Sequence, residues 1–199
     1  MVRVVNTALV ATSLALLAAG TALAVEPSRL IQANAKMQRL GTWRIDRSPT
    51  LGGATRTLGE PSTCRRIRLE DGSVARWKGL GVRVVTATLA VIPRGATSCS
   101  YDRMPVSVVT VSGRQWHTSL GLRVEDTATR LHRLYPAATF HPTSRGDSSP
   151  RDSYWLVTRR AACLGDCGGA RYVTAPQLVA QIDDGRVKAI IFPVGAQGE

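Results

Sequence analysis

The sequence predicts an α+β protein of two tandem units, each a short helix packed on an antiparallel β-meander. Two short amphipathic stripes carry that expectation, one on Leu51, Ala54 and Leu58, the other on Ala128, Leu131, Leu134 and Tyr135. Each is followed by β-branched runs and an Asp-Gly turn, Asp71-Gly72 in one half and Asp184-Gly185 in the other. The four Trp and four Cys also divide two and two between the halves. The expected boundaries are a signal peptide over 1–24, a polar lead-in over 25–39, and units over 40–112 and 113–199.

The chain opens with the pattern of an export signal. Arg3 supplies the charged n-region, Ala8–Ala19 the apolar h-region, and Ala22-Leu23-Ala24 the small-residue cleavage site. Val4–Val25 is uncharged and long enough to span a bilayer as an uncleaved anchor, but Glu26-Pro27 after the site favours cleavage. Thr21 stands where a lipoprotein would carry its lipidated cysteine. The reading is a secreted or extracytoplasmic chain cleaved near Ala24, with no membrane span in the mature part. Val25–Arg39 follows as an Ala-rich lead-in whose end, Leu30–Leu40, fits a helix.

In the first unit Pro49-Thr50 starts a helix weakened by Gly52 and Gly53, each costing roughly 1 kcal/mol against Ala. Gly59-Glu60-Pro61 ends it. Arg66–Glu70 and Val74–Trp77 form a hairpin around Asp71-Gly72, and Val82–Ile92 and Val106–Val111 are the next strands. In the second unit Asp126 or Thr127 caps the helix and Pro136 stops it. His141–Ser153 is a Pro- and Ser-rich loop. Tyr154–Thr158 is a strand, and Leu178–Ile182 with Val187–Phe192 is a hairpin around Asp184-Gly185. Gly195–Glu199 reads as a tail.

Cys64, Cys99, Cys163 and Cys167 all lie in the exported part, where disulfides persist. Three pairings are open to four cysteines; proximity in sequence selects 64–99 and 163–167. No cofactor and no metal site are expected: the Cys163–Cys167 segment has only Asp166 beside it, short of a four-ligand set.

The formal charge of +12 favours anionic partners. Lysine occurs only at 36, 78 and 188, so nearly all the positive charge is arginine, which equally fits the codon usage of a GC-rich genome. Arg65-Arg66-x-Arg68 is too thin a stripe for nucleic acid, which is not an expected partner. Arg145-Gly146-Asp147 is a chance-level tripeptide in a loop. A hydrolase built on His117 or His141 is the enzyme alternative, without a Gly-x-Ser-x-Gly elbow to support it. Trp43, Trp77, Trp116 and Trp155 are the candidate binding residues, since Trp dominates interface hot spots; the competing reading makes them the cores of the two units.

The order of helix, Gly/Pro stop and Trp-bearing meander over roughly residues 40–195 resembles the β-lactamase-inhibitor-protein-like fold, shared with the BamE (SmpA/OmlA) lipoproteins and used in tandem by the inhibitor. Thr118–Thr127 (TSLGLRVEDT) with Leu131–Pro136 (LHRLYP) looks like the entry helix of secreted actinobacterial proteins of unknown function. The resemblance implies protein binding without catalysis, and no inhibitor contact residue carries over. The function expected is therefore an exported, non-catalytic protein-binding or envelope-associated protein. The second alternative is a basic protein held electrostatically to anionic wall or lipid.

Overall fold

Alternation of buried and exposed side chains, the signature of strands, runs through most of the chain, and strand outweighs helix by 52 % to 13 % of the described residues. The computed structural model describes residues 29–34, 36–67, 72–87, 97, 99–142, 152–162 and 171–194. Among the described residues twelve strands form two sheets, with two α-helices.

The smaller sheet begins where a polar lead-in was expected. Strands β1 (Leu30–Asn34) and β2 (Met37–Leu40) make an antiparallel hairpin with Ile31 opposite Leu40. Asn34 Oδ1 accepts from Lys36 N at 2.9 Å, an Asx turn that reverses the chain. The expected helix over Leu30–Leu40 is thus replaced by a hairpin, because Ile31, Gln38 and Leu40 face one buried side at a two-residue period. Strand β3 (Trp43–Arg44) pairs with β2, and β8 (His117–Thr118) adds in parallel to β1, giving the order β3-β2-β1-β8.

The larger sheet holds eight strands, all antiparallel. The first four are β4 (Thr63–Arg66), β5 (Ser73–Trp77), β6 (Val82–Thr86) and β7 (Val106–Val111). The other four are β9 (Thr139–His141), β10 (Ser153–Ala162), β11 (Tyr172–Asp183) and β12 (Arg186–Pro193). Their spatial order is β4-β5-β6-β7-β12-β11-β10-β9. Strand β12 docks on β7, Val109 opposite Phe192 and Val111 opposite Ile190.

That junction overturns the expected α+β architecture of two tandem helix-on-meander units. The two strand runs fuse into one sheet, and a pairing between β1 and β8 also joins the halves. The helices, α1 (Leu51–Leu58) and α2 (Ala128–Leu134), have only 8 and 7 residues. At 1.5 Å per residue neither can cover a sheet of this width, so the smaller sheet supplies most of the second layer.

Local chemistry at the helix ends follows the sequence. Thr50 Oγ1 accepts from Gly53 N at 3.1 Å, and Thr127 Oγ1 from Arg130 N at 3.2 Å. The glycines of α1 serve close packing: a Cβ on Gly53 would lie 2.6 Å from Ser48 O, and one on Gly52 2.8 Å from Asp102 Cβ. The first amides of α1 are taken by the 102–104 loop, Leu51 N donating to Met104 O and Gly52 N to Asp102 O, each at 2.8 Å. Cys64 and Cys99 are disulfide-bonded, fastening this loop region to β4. The Asp184-Gly185 turn has φ of 50° and 68°, the left-handed pair of a tight hairpin.

Strand β6 ends at Thr86, short of the expected Ile92, and the rest of that run from 88 lies outside the described residues. So do Cys163 and Cys167, the first two dozen residues, the Arg145–Asp147 tripeptide and the tail. Among the described residues no helix is long and apolar enough to cross a membrane.

The core lies between the sheets. Trp43, Ile31 and Leu40 of the smaller sheet and Val84, Val109 and Phe192 of the larger belong to one buried cluster, all at most 2 % exposed. One polar pair crosses it: Gln38, 3 % exposed, donates from Nε2 to Gln177 O at 2.9 Å.

Candidate functional site

Period-two alternation in the large sheet fixes what its other face carries. Ala75, Trp77, Val82, Val84, Val109 and Phe192 point into the core. Their neighbours Val74, Arg76, Arg83, Val85, Val108 and Thr110 therefore point away from it. Registers assemble these outward residues into two rows. One runs Arg76, Arg83, Thr110, Ile191, Val179, Trp155; the other runs Val74, Val85, Val108, Pro193. Both helices and the small sheet give their apolar side chains to the core side. On this outer face Arg76 and Arg83 are exposed, Val179 is 7 % exposed, and the remaining row residues are half-buried.

The result is an apolar field of valine and isoleucine with a guanidinium pair at one end. Arg76 and Arg83 are direct cross-strand partners, both exposed, and neither forms an ion pair among the described residues. Partial burial, and then the charge of Arg76, lower the Arg83 pKa. Like charges directly opposite one another disfavour the free sheet, so the pair is a standing electrostatic cost that an anionic partner would relieve. At the other end of the same row Trp155, half-buried, stacks on His141 with ring centroids 3.7 Å apart and planes 18° apart. The His141 Nε2 is buried without a hydrogen bond.

The four tryptophans do not share one surface. Trp43, Trp77 and Trp116 are 2 %, 3 % and 1 % exposed. Each indole N–H is spent on a main-chain carbonyl outside the sheets: Trp43 on Ser48 O at 3.0 Å, Trp77 on Gly59 O at 2.6 Å, Trp116 on Leu80 O at 2.8 Å. They lock turns to the core, and only Trp155 reaches the outer face. The Arg76–Arg83 pair was not among the residues expected from sequence. Its signal was present in Val74-x-Arg76 and Arg83-x-Val85 with the Lys78–Gly81 turn between, which sets those arginines opposite.

The histidines are dispersed. His117 Nδ1 lies 3.1 Å from the carbonyl of Thr118, and His132 meets the Tyr154 ring edge-on at 4.8 Å. Among the described residues neither the His117 nor the His141 imidazole is hydrogen-bonded to a hydroxyl or a carboxylate; the Ser153 hydroxyl donates only to the main-chain carbonyl of His141, at 3.4 Å. Asp126 accepts from Arg123 N at 2.8 Å and pairs with Arg130 Nε at 3.1 Å. No group of three or more metal-ligating side chains occurs among the described residues.

No protein-family model matches the chain, and no curated protein is significantly similar to it. A 1.5 Å crystal structure of an extracellular protein containing a SCP domain from Bacillus anthracis str. Ames aligns with 73 % of this chain and 43 % of its own, at 11 % identity and a TM-score of 0.39. The chain thus spans less than half of that protein, and a superposition this loose carries no argument about fold or function.

Proposed function

We propose that this is an extracytoplasmic, non-catalytic binding protein whose outer sheet face receives an acidic protein partner. The observation that carries the reading is the exposed Arg76–Arg83 pair, without an ion pair among the described residues, beside a half-buried row of Val74, Val85 and Val108. A face that is apolar at its centre and charged at one end has the composition of a recognition surface, where apolar contact holds and charge selects and steers. The Cys64–Cys99 disulfide, together with the amino-terminal export pattern, supports an oxidising compartment outside the cytoplasm.

The test is capture from an envelope extract at low and high salt, with the chain lacking residues 1–24 as bait and an Arg76→Ala/Arg83→Ala variant beside it. We expect an acidic protein retained by the wild type and depleted by the variant, with partial retention at high salt through the apolar rows. Identical capture by both baits would remove the outer face from the function.

A further inference from the structure

Strands β10 and β11 run on beyond the body of the large sheet. Arg159 to Ala162 pair with Ala175 back to Tyr172, whereas β12 meets β11 only over Val179–Asp183 and β9 meets β10 only over Ser153–Trp155. The distal part is a two-stranded arm whose outer edges are unpaired among the described residues. Its root is fixed by polar contacts. In the amide orientation that satisfies both of its ends, the Gln177 side chain donates to Asn34 O at 2.8 Å and accepts from Arg159 Nε at 3.0 Å, and Gln38 Nε2 donates to the Gln177 carbonyl at 2.9 Å.

Past that root the arm changes character. Arg160, Arg171, Tyr172, Val173 and Thr174 line one open depression. The Arg160 guanidinium sits 4.1 Å from the centre of the Tyr172 ring. Tyr172 is 52 % and Val173 36 % exposed, two of the four large hydrophobic side chains exposed among the described residues. The described arm residues, 158–162 and 171–176, contain three arginines and no carboxylate. Neither Arg160 nor Arg171 forms an ion pair among the described residues.

Solvated arginines alone need no partner. Tyr172 stands opposite Ala162 and Val173 opposite Ala161, so the two present apolar surface on opposite faces of the arm; leaving both in water has a continuing cost, which a layer receiving the arm would remove from both faces at once. Guanidinium groups match phosphate oxygens in a planar, two-pronged geometry. A tyrosine ring with its hydroxyl suits the boundary between headgroups and acyl chains. A nucleic acid would instead stack its bases on the aromatic face, and one face of Tyr172 is already taken by Arg160. A protein partner needs a wider patch than these five described residues offer. We propose that the end of the β10–β11 arm is a docking site for an anionic phospholipid surface, with Arg160 and Arg171 on headgroup phosphates and Tyr172 and Val173 at the interface.

The experiment is vesicle co-sedimentation of the chain lacking residues 1–24, using phosphatidylcholine with and without phosphatidylglycerol. We expect binding only when phosphatidylglycerol is present. Arg160→Ala/Arg171→Ala should weaken it about 25-fold, each basic residue near the surface contributing comparably. Tyr172→Ser should weaken it as well, and Arg76→Ala/Arg83→Ala, which removes the same charge from the sheet, should leave it in place. Three results would overturn the proposal: no binding to phosphatidylglycerol vesicles, an equal loss in the Arg76/Arg83 variant, or a Tyr172→Ser variant indistinguishable from wild type. Because these substitutions sit at exposed positions, unchanged circular-dichroism spectra establish that the variants are folded. Vesicle binding retained by the Arg76/Arg83 variant alongside lost protein capture separates this site from the outer face.

Discussion

Arg76 on β5 and Arg83 on β6 stand directly opposite each other with no carboxylate paired to either among the described residues. Opposed like charges on a sheet cost about 0.2–1 kcal/mol, and threonine is a better strand residue than a crowded cation. Arg76→Thr should therefore stabilise the isolated protein by about 0.5 kcal/mol, a gain that shrinks with added salt. The same change should weaken partner capture. Urea unfolding at low and high ionic strength checks the first part; a variant less stable than wild type at low salt would show that the pair carries no repulsion.

Gly53 lies where Ala would ordinarily improve a helix by roughly 1 kcal/mol. Here the added methyl would meet Ser48 O and Ser48 Oγ at 2.6 Å and Trp43 Nε1 at 3.1 Å. Ser48 O cannot easily retreat, because the Trp43 indole donates to it and Ser48 N is bonded to Arg44 O. Overpacking of this kind costs about 1–3 kcal/mol, so Gly53→Ala should be destabilised despite the gain in propensity. Gly79, with nothing within 4 Å of its notional Cβ, is the control, and Gly79→Ala should be neutral or slightly stabilising. Thermal unfolding of the two variants side by side gives the comparison.

Some of this was readable from the residues because the chemistry is local. The threonine caps of both helices and the Asp184-Gly185 turn depend on neighbours within a few positions. The pairing of β7 with β12 does not: no property of Val106–Val111 names Arg186–Pro193 as its partner, and two separate meanders satisfy the same periodicity. The β1–β2 hairpin was hidden by Gln38. Its buried amide is polar in the sequence, so the alternation broke where the structure continues it through a bond to Gln177 O. The tryptophans drew attention through their size, while the arginine pair went unseen because its meaning lies in register rather than in residue type.

Asp46 provides a pH test of the small sheet. Its Oδ2 accepts from the Arg44 guanidinium at 2.6 Å, and its Oδ1 accepts from Arg44 Nε at 3.0 Å and Gln38 N at 3.2 Å. The hydrogen bond from Arg44 is the main cause holding the carboxyl below its ordinary value, against an opposing effect of burial. A folded pKa below the unfolded one contributes stability above the ordinary carboxylate range, lost as pH falls through the lowered value. Asp46→Asn should thus lower the urea midpoint at pH near 7 and converge with wild type in strong acid. A constant gap across the titration would mean that shape, not charge, holds Asp46 in place.

The disulfide is the covalent feature whose removal tests the largest piece of the architecture. Cys64 and Cys99 close a loop of 35 residues, for which the chain-entropy estimate is about 3–4 kcal/mol of stabilisation. The bond also has a local consequence. Residues 99–104 lead into the carbonyls of Asp102 and Met104 that receive the first amides of α1, and Met104 itself is fully buried. Cys64→Ser/Cys99→Ser should therefore lower stability by roughly that amount, and amide exchange at Leu51 and Gly52 should speed up more than at Val109 in the sheet centre. Strands β6 and β7 are held by their own pairing and should keep most of their protection under native conditions. Equal acceleration at all three positions would mean that the cross-link acts on the whole fold and not on the loop that caps the helix.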